Sequence, residues 1–188
     1  VHIPMSSGLS GSCETARLLA EDFDGRVQVV NNQRISITQR RSVYDARALA
    51  DKGFDAAAIR NILERDKFES GIYIMVDTLK YLKKGGRVTP AAAAIASVFN
   101  IKPVLQIQGE KLDSFAKVRG IKQAKKVIVD QVIKDITNRV PGGIEGKYYH
   151  IAIAHTQNDA EALALKEEFL GIFPGMDIVI NPLSLSVS

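Results

Sequence analysis

The chain lacks the residues on which several common kinds of site are built. Its 188 residues include one cysteine, three histidines and no tryptophan. Cys13 stands alone and closes no internal disulfide, which fits a reducing compartment. The histidines make no metal set. His150 and His155 are separated by an odd spacing on a strand-like stretch, which points them to opposite faces, and His2 is remote from both. No apolar run reaches the roughly 18 residues of a membrane span, and no positively charged start leads into an apolar stretch as in a signal peptide. The expectation is a cytoplasmic protein with no stable membrane insertion, no metal and no cofactor.

Charge of one sign is scarce too. Lys and Arg number 25 against 21 Asp and Glu, a net charge of +4, and the isoelectric point is about 9.2. The basic residues are scattered among the acids. Their densest clusters, Arg40-Arg41, Lys83-Lys84 and Lys122 with Lys125-Lys126, are short and carry no interleaved aromatic residues for stacking bases. They read as solvated faces, so no nucleic-acid partner is expected. With 46% hydrophobic and 24% charged residues, the composition is that of a globular protein able to bury one large or two small cores.

The first third alternates strand and helix. Val1–Met5 and Arg26–Val30 read as strands, and the apolar spacing of Ala16, Leu19, Ala20 and Phe23 predicts a helix over Cys13–Phe23. A helix over Val43–Lys52 closes on Gly53, and Asp55 caps another that runs to Arg65. Gly71–Val76 is nearly continuous in apolar residues, as in a strand covered on both faces. This order predicts an α/β fold with a parallel, doubly wound sheet over residues 1–77.

The pattern then changes. A short helix from Thr78 stops at Gly85-Gly86, and Thr89-Pro90 opens a helix over Ala91–Phe99. Lys102–Gln108 and Lys111–Val118 form a hairpin around Gly109. A long helix (Lys122–Asn138), a strand (Tyr148–Ala154), a helix capped at Asn158 or Asp159 and a last strand (Met176–Pro182) follow. Residues 78–188 are therefore expected to be a smaller α+β domain, with the boundary near Val76–Leu79. The chain begins in one strand pattern and ends in another at Leu183–Ser188. Strands cut in this way would leave backbone groups unpaired, so an internal piece of a longer protein, truncated at both ends, is expected.

The turn Ser6-Ser7-Gly8-Leu9-Ser10-Gly11 joins the first strand to the first helix. A turn of this kind presents backbone N–H groups at the positive end of a helix dipole and favours an anion, carboxylate and phosphate alike. Capping by Ser10 and a tight turn through the glycines would equally account for it. It has neither the Gly-x-Ser-x-Gly order of a nucleophile elbow nor a lysine after Gly11 as in a phosphate loop. Cys13 falls in the first helical turn, where the dipole would lower its pKa; with no histidine nearby in sequence it reads as a packing residue. Further on, Lys83 and Lys84 suit a helix C-terminus, which leaves Arg87, placed after two glycines, without a local reason.

Four blocks taken in order are more specific than any alone. They are Ser6–Gly11, Asp77-Thr78-Leu79 through Lys83-Lys84-Gly85-Gly86-Arg87, Asn100-Ile101-Lys102-Pro103 and Lys117-Val118-Arg119-Gly120. Together they resemble the DegV family of fatty-acid-binding proteins. The resemblance implies a two-domain α/β protein that binds one long-chain fatty acid without transforming it, and in bacteria presents it as a carrier to a fatty-acid kinase subunit. It places the carboxylate at Ser7, with Ser6 and Gly8 adjacent, and connects Arg87 and Arg119 with kinase docking or the head-group region. The Ala91–Ala96 helix and the Ile72–Val76 strand are apolar enough to line an acyl tunnel, or simply to be core. The chain lacks the family's Thr-Asp-Ser-Thr, Ser-Gln-Pro and His-x-Gly-Pro-Gly elements, in keeping with the expected truncation. Asn31-Asn32 stands where members carry Asp-Ser, and Thr38–Arg41 where they carry a glycine-rich run. The competing reading is a phosphotransfer or hydrolytic enzyme that uses the same anion cradle. It lacks a base, a metal set or a lysine near the turn.

Overall fold

The computed structural model describes residues 1–95, 101–146 and 148–183. It is a mixed α/β protein of two compact units, Val1–Ala124 and Lys125–Ser188. The expected division at 77/78 falls inside the first unit, because strands on either side of it pair with each other.

In the first unit the opening segment meets the chain again at Val29. His2 and Val29 form an isolated parallel bridge, in which the His2 N–H donates to the Gln28 carbonyl at 2.8 Å and the Val30 N–H to the His2 carbonyl at 2.9 Å. Three helices surround this pair: α1 (Ser12–Ala20), α2 (Ser36–Asp51) and α3 (Ala56–Arg65). Val30, with Ile59 and Leu63 of α3, forms a buried cluster against which Ala46 and Leu49 of α2 pack. α1 stops three residues before Phe23, where a single 3-10 turn takes over. α2 begins at Ser36 rather than Val43, because the Thr38 hydroxyl donates to the Ile35 carbonyl at 2.8 Å and accepts its N–H at 3.4 Å. α3 starts where its cap requires: the Asp55 carboxylate accepts the Ala58 N–H at 2.8 Å.

The same unit contains β1 (Ile72–Met75), α4 (Lys80–Gly85), α5 (Pro90–Ile95), β2 (Lys102–Ile107) and β3 (Asp113–Val118). The Thr89 hydroxyl accepts the Ala92 N–H at 3.2 Å and so caps α5. The hairpin forms as the sequence predicts. β1, however, is not a strand of a parallel sheet: it pairs antiparallel with β2, Ile74 opposite Leu105, in the order β1-β2-β3. An apolar run reports that both faces are covered and carries no information about the direction of its neighbour. Leu105 and Val104, at the centre of β2, are wholly buried. Leu105 packs in a cluster with Leu79, Ala92, Ile95, Leu112 and, from the serine-glycine turn, Leu9. Ala92, Ile95 and the β1 isoleucines Ile72 and Ile74, from the two segments read as tunnel wall or core, belong to this one cluster. Ala96–Asn100 lie outside the described residues.

The second unit is built from α6 (Ile121–Arg139), whose first residues end the first unit, and from β4 (Ala152–His155), α7 (Asp159–Ile172) and β5 (Val179–Pro182). β4 and β5 are parallel, Ile153 opposite Ile180, with α7 as the connection that parallel strands require. Ile153, Phe169, Phe173 and Ile178 fill its core. Residues 184–188, which include most of the closing strand pattern, lie outside the described residues. No described helix is long and apolar enough to cross a membrane.

Because Leu105 has no exposed surface and belongs to the cluster that joins the sheet, α5 and the serine-glycine turn, Leu105→Ala is expected to lower the unfolding free energy by about 2–5 kcal/mol. Urea denaturation measures it. A loss below about 1 kcal/mol would place the centre of the core elsewhere.

Candidate anion site at the serine-glycine turn

The two segments joined by the His2–Val29 bridge run in the same direction and leave the bridge side by side. The first continues into Ser6–Gly11, the second into Asn31–Arg34. Ligand sites in open α/β folds lie beyond the carboxyl ends of parallel strands, and these two loops occupy that position.

They are tied together by hydrogen bonds. The Ser6 N–H donates to the Arg34 carbonyl at 3.0 Å. The Ser7 N–H donates to Asn31 Oδ1 at 3.3 Å, and Asn31 Nδ2 donates to Ser7 Oγ at 2.8 Å. Asn31 is itself fixed by its N–H, which donates to Glu64 Oε1 on α3 at 2.8 Å. Behind it lies a buried polar group. The Asn32 amide and the Arg34 guanidinium both donate to Ser42 Oγ, at 2.6 and 3.2 Å, and Arg34 also reaches the Asp66 carbonyl at 3.0 Å. Burial pushes the Arg34 guanidinium below its usual pKa, an effect opposed by the carboxylates of Asp45 and Asp66.

The third wall is the tip of the β2–β3 hairpin. The Ser6 hydroxyl donates to the Glu110 carbonyl at 2.8 Å, and Ser6 is 1% exposed. Gly8 lies directly against the same residue: a Cβ at this position would stand 2.5 Å from the Glu110 carbonyl oxygen. Gln33 Nε2 donates to the Glu110 carboxylate at 3.2 Å. Leu9 is buried in the core below.

Leu9 N–H and Ser10 N–H both donate to the Ser6 carbonyl, at 2.9 and 3.1 Å, and the Ser12 N–H donates to Ser10 Oγ at 3.2 Å. The Ser6 hydroxyl and the Ser7 N–H are also engaged, as described. The Gly8, Gly11, Cys13 and Glu14 N–H groups and the hydroxyl protons of Ser7 and Ser12 are not engaged in these bonds. Ser7 and Gly8 are adjacent.

Of the two arginines, one is near. Arg87 Nε donates to the Leu9 carbonyl at 3.4 Å and its Nη1 to the Gly85 carbonyl at 2.6 Å, which is the local reason for an arginine after two glycines. Arg119 lies at the opposite end of β3, roughly 20 Å along the strand from Asp113 at ~3.3 Å per residue. Its side chain is exposed and its N–H donates to Gln123 Oε1 at 3.0 Å. Cys13 is wholly buried beside the turn. Burial raises its thiol pKa, outweighing the lowering by Arg17. Among the described residues no three His, Cys, Asp or Glu side chains cluster as a metal site would require.

The DegV family model, described as an uncharacterised protein family, matches residues 1–188. The chain belongs to the DegV family. A DegV domain-containing protein of Clostridium perfringens is 28% identical over 193 residues, covering all of this chain and 64% of its own length. A DegV family protein from Thermus thermophilus, described by its fatty-acid binding, superposes with a TM-score of 0.78 at 28% identity, over 95% of this chain and 62% of that one. A fatty-acid-binding DegV protein from Streptococcus agalactiae gives 0.80 at 26% identity, over 96% and 62%. The chain thus spans somewhat less than two thirds of these DegV relatives.

Two residues of the turn's surroundings were not singled out by motif. Asn31 entered only as a departure from the DegV pattern, and Glu110 only as a hairpin residue. Each is distant in sequence from the turn it contacts. The one available signal was the parallel run of the first two strand segments, which brings their following loops together.

Gly8→Ala is expected to push Glu110 away from the turn and to cost about 1–3 kcal/mol of stability, as overpacking does. Thermal unfolding checks this. A variant as stable as the parent would show that the contact is not maintained in solution.

Proposed function

We propose that this chain binds a long-chain fatty acid as its carboxylate, at the Ser7 hydroxyl and the Gly8 N–H, and does not transform it. The observation that carries the reading is the Ser7 hydroxyl: it accepts from Asn31 and keeps its own proton for an acceptor, in a family whose solved relatives are described as fatty-acid binding. Ser6 serves the same site indirectly, by holding the turn on the hairpin. The energetics suit such a ligand. At about 0.8 kcal/mol per buried methylene, a tail of ~14 methylenes contributes on the order of 10 kcal/mol before ordering costs. The head group then needs orientation more than affinity, which two donors supply.

Carrier duty toward a fatty-acid kinase subunit, in the cytoplasm, is part of the proposal. Arg87, beside the turn, is assigned to the head-group side, and the exposed Arg119 to the surface that a kinase subunit meets. A nucleophilic role for Ser7 is disfavoured by its partner, since an amide cannot take up the hydroxyl proton as a general base does.

Native mass spectrometry of the intact protein, before and after delipidation and with added oleate, tests the reading. Ligand with a C14–C18 acyl mass is expected, and Ser7→Ala is expected to weaken oleate binding by about tenfold, the worth of a hydrogen bond to a charged group. Absence of any uptake by the parent protein removes the proposal. Unchanged affinity in Ser7→Ala moves the carboxylate to another residue.

A further inference from the structure

We propose that the outer face of α4 is a docking surface for an anionic lipid bilayer, the place from which the protein collects its ligand. The purpose of the surface rests on the fatty-acid reading above, while the surface itself rests on charge and exposure. The longest stretch of the chain without Asp or Glu runs from Thr78 to Gly109. It contains Lys80, Lys83, Lys84, Arg87 and Lys102, a net charge of +5 against +4 for the whole chain. Lys102 is paired with Asp77 at 3.1 Å. Among the described residues, no carboxylate pairs with Lys80, Lys83, Lys84 or Arg87. In the basic cluster of α6, by contrast, Lys125 meets Glu161 and Lys126 meets Asp130.

α4 gathers three of the unpaired charges on one short helix. Leu79, at its N-cap, is buried, and Leu82, three residues on, packs against the same cluster. These two leucines define the inward side. At 100° per residue, Lys80, Tyr81 and Lys84 share the opposite side, with Lys83 at its margin, and all four are exposed. Tyr81 is 71% exposed, and the Lys80 ammonium lies 5.8 Å from the centroid of its ring. A tyrosine among lysines is the composition of a membrane interface. The ring sits at headgroup level with its apolar body inward, and the ammonium groups reach the lipid phosphates.

Two features favour a lipid surface over an acidic protein. The charges are lysines on flexible stems, which are depleted from protein interfaces and suit a headgroup layer of no fixed geometry. The face is also joined to the ligand's turn. Leu79 and Leu9 belong to one cluster, and Arg87, just beyond α4, donates from Nε to the Leu9 carbonyl at 3.4 Å. A fatty acid in a bilayer has its carboxylate at the headgroup layer, and docking through α4 brings Ser7 and Gly8 toward that level. Such docking is peripheral, since no described helix is long and apolar enough to cross the membrane.

The test is cosedimentation of the intact, delipidated protein with vesicles of equal parts phosphatidylglycerol and phosphatidylcholine, and with vesicles of phosphatidylcholine alone. Binding to the anionic vesicles only is expected, and its loss as salt rises. Lys80→Gln, Lys83→Gln and Lys84→Gln are each expected to weaken it by about fivefold. Tyr81→Ser is expected to do the same by about fivefold, the worth of half burying the ring. In all of these variants the affinity for oleate in solution stays within about twofold, which also shows that they are folded, while transfer of oleate from the anionic vesicles slows. No binding of the parent to anionic vesicles overturns the assignment and leaves the face to an acidic protein. Equal binding to both kinds of vesicle, or unchanged binding when all three lysines are replaced, overturns it as well. Vesicle binding that follows these lysines in a protein that takes up no oleate overturns the fatty-acid reading alone, and the two failures are thereby distinct.

Discussion

The close approach of Gly8 to the Glu110 carbonyl is the contact on which the rest of the site depends. It is an approach that only a residue without a Cβ allows. It brings a turn near the start of the chain against a hairpin tip more than a hundred residues later, and the Ser6 hydroxyl secures it with a bond to the same carbonyl. Once the turn is seated, Leu9 falls into the core under α5 and the sheet, and Arg87 reaches the Leu9 carbonyl from the loop beyond α4. The glycine is thus a packing requirement first. Its N–H is free for a ligand because the backbone is held by neighbours on both sides.

The second constraint is the short parallel bridge between His2 and Val29. It is a weak element by itself, but it sets which loops emerge side by side. Asn31 meets Ser7 because both follow segments that run the same way. The polar group behind them, with Ser42 accepting from both Asn32 and Arg34, keeps the second loop in place. A buried guanidinium is costly unless its hydrogen bonds are met, and here two of them are met by a hydroxyl and a backbone carbonyl. The loop that presents Asn31 is consequently anchored from below rather than left to solvent.

Local chemistry was legible in the sequence wherever a residue acts on its own neighbours. Asp55, Thr89-Pro90 and Gly53 mark helix ends that the structure contains, and the glycine between two strand patterns marks the β2–β3 hairpin. What was not legible depended on partners far along the chain. The apolar run of β1 gave no sign that its neighbour is the antiparallel β2, and nothing local to Cys13 showed that burial would raise its thiol pKa. For the site, the turn was readable as a place that would favour an anion, but the meeting of its glycine with the Glu110 carbonyl was not. Nor was the size of the cradle. Sequence reasoning supplies a row of N–H groups, and the structure spends four of them on the Ser6 carbonyl, Ser10 and Asn31.

That spending changes the kind of recognition the turn can perform. A full cradle of backbone donors, aided by a helix dipole, would grip any small anion and would suit phosphate as well as carboxylate. Two adjacent donors, one on Ser7 and one on Gly8, match the two oxygens of a carboxylate. A long apolar ligand can tolerate so sparse a grip, because burial of its tail supplies the affinity and the head group supplies only direction. A small phosphate ester has no such reserve. The adjacency of the Ser7 and Gly8 donors, with a tail to supply the affinity, therefore suits the proposed lipid carboxylate.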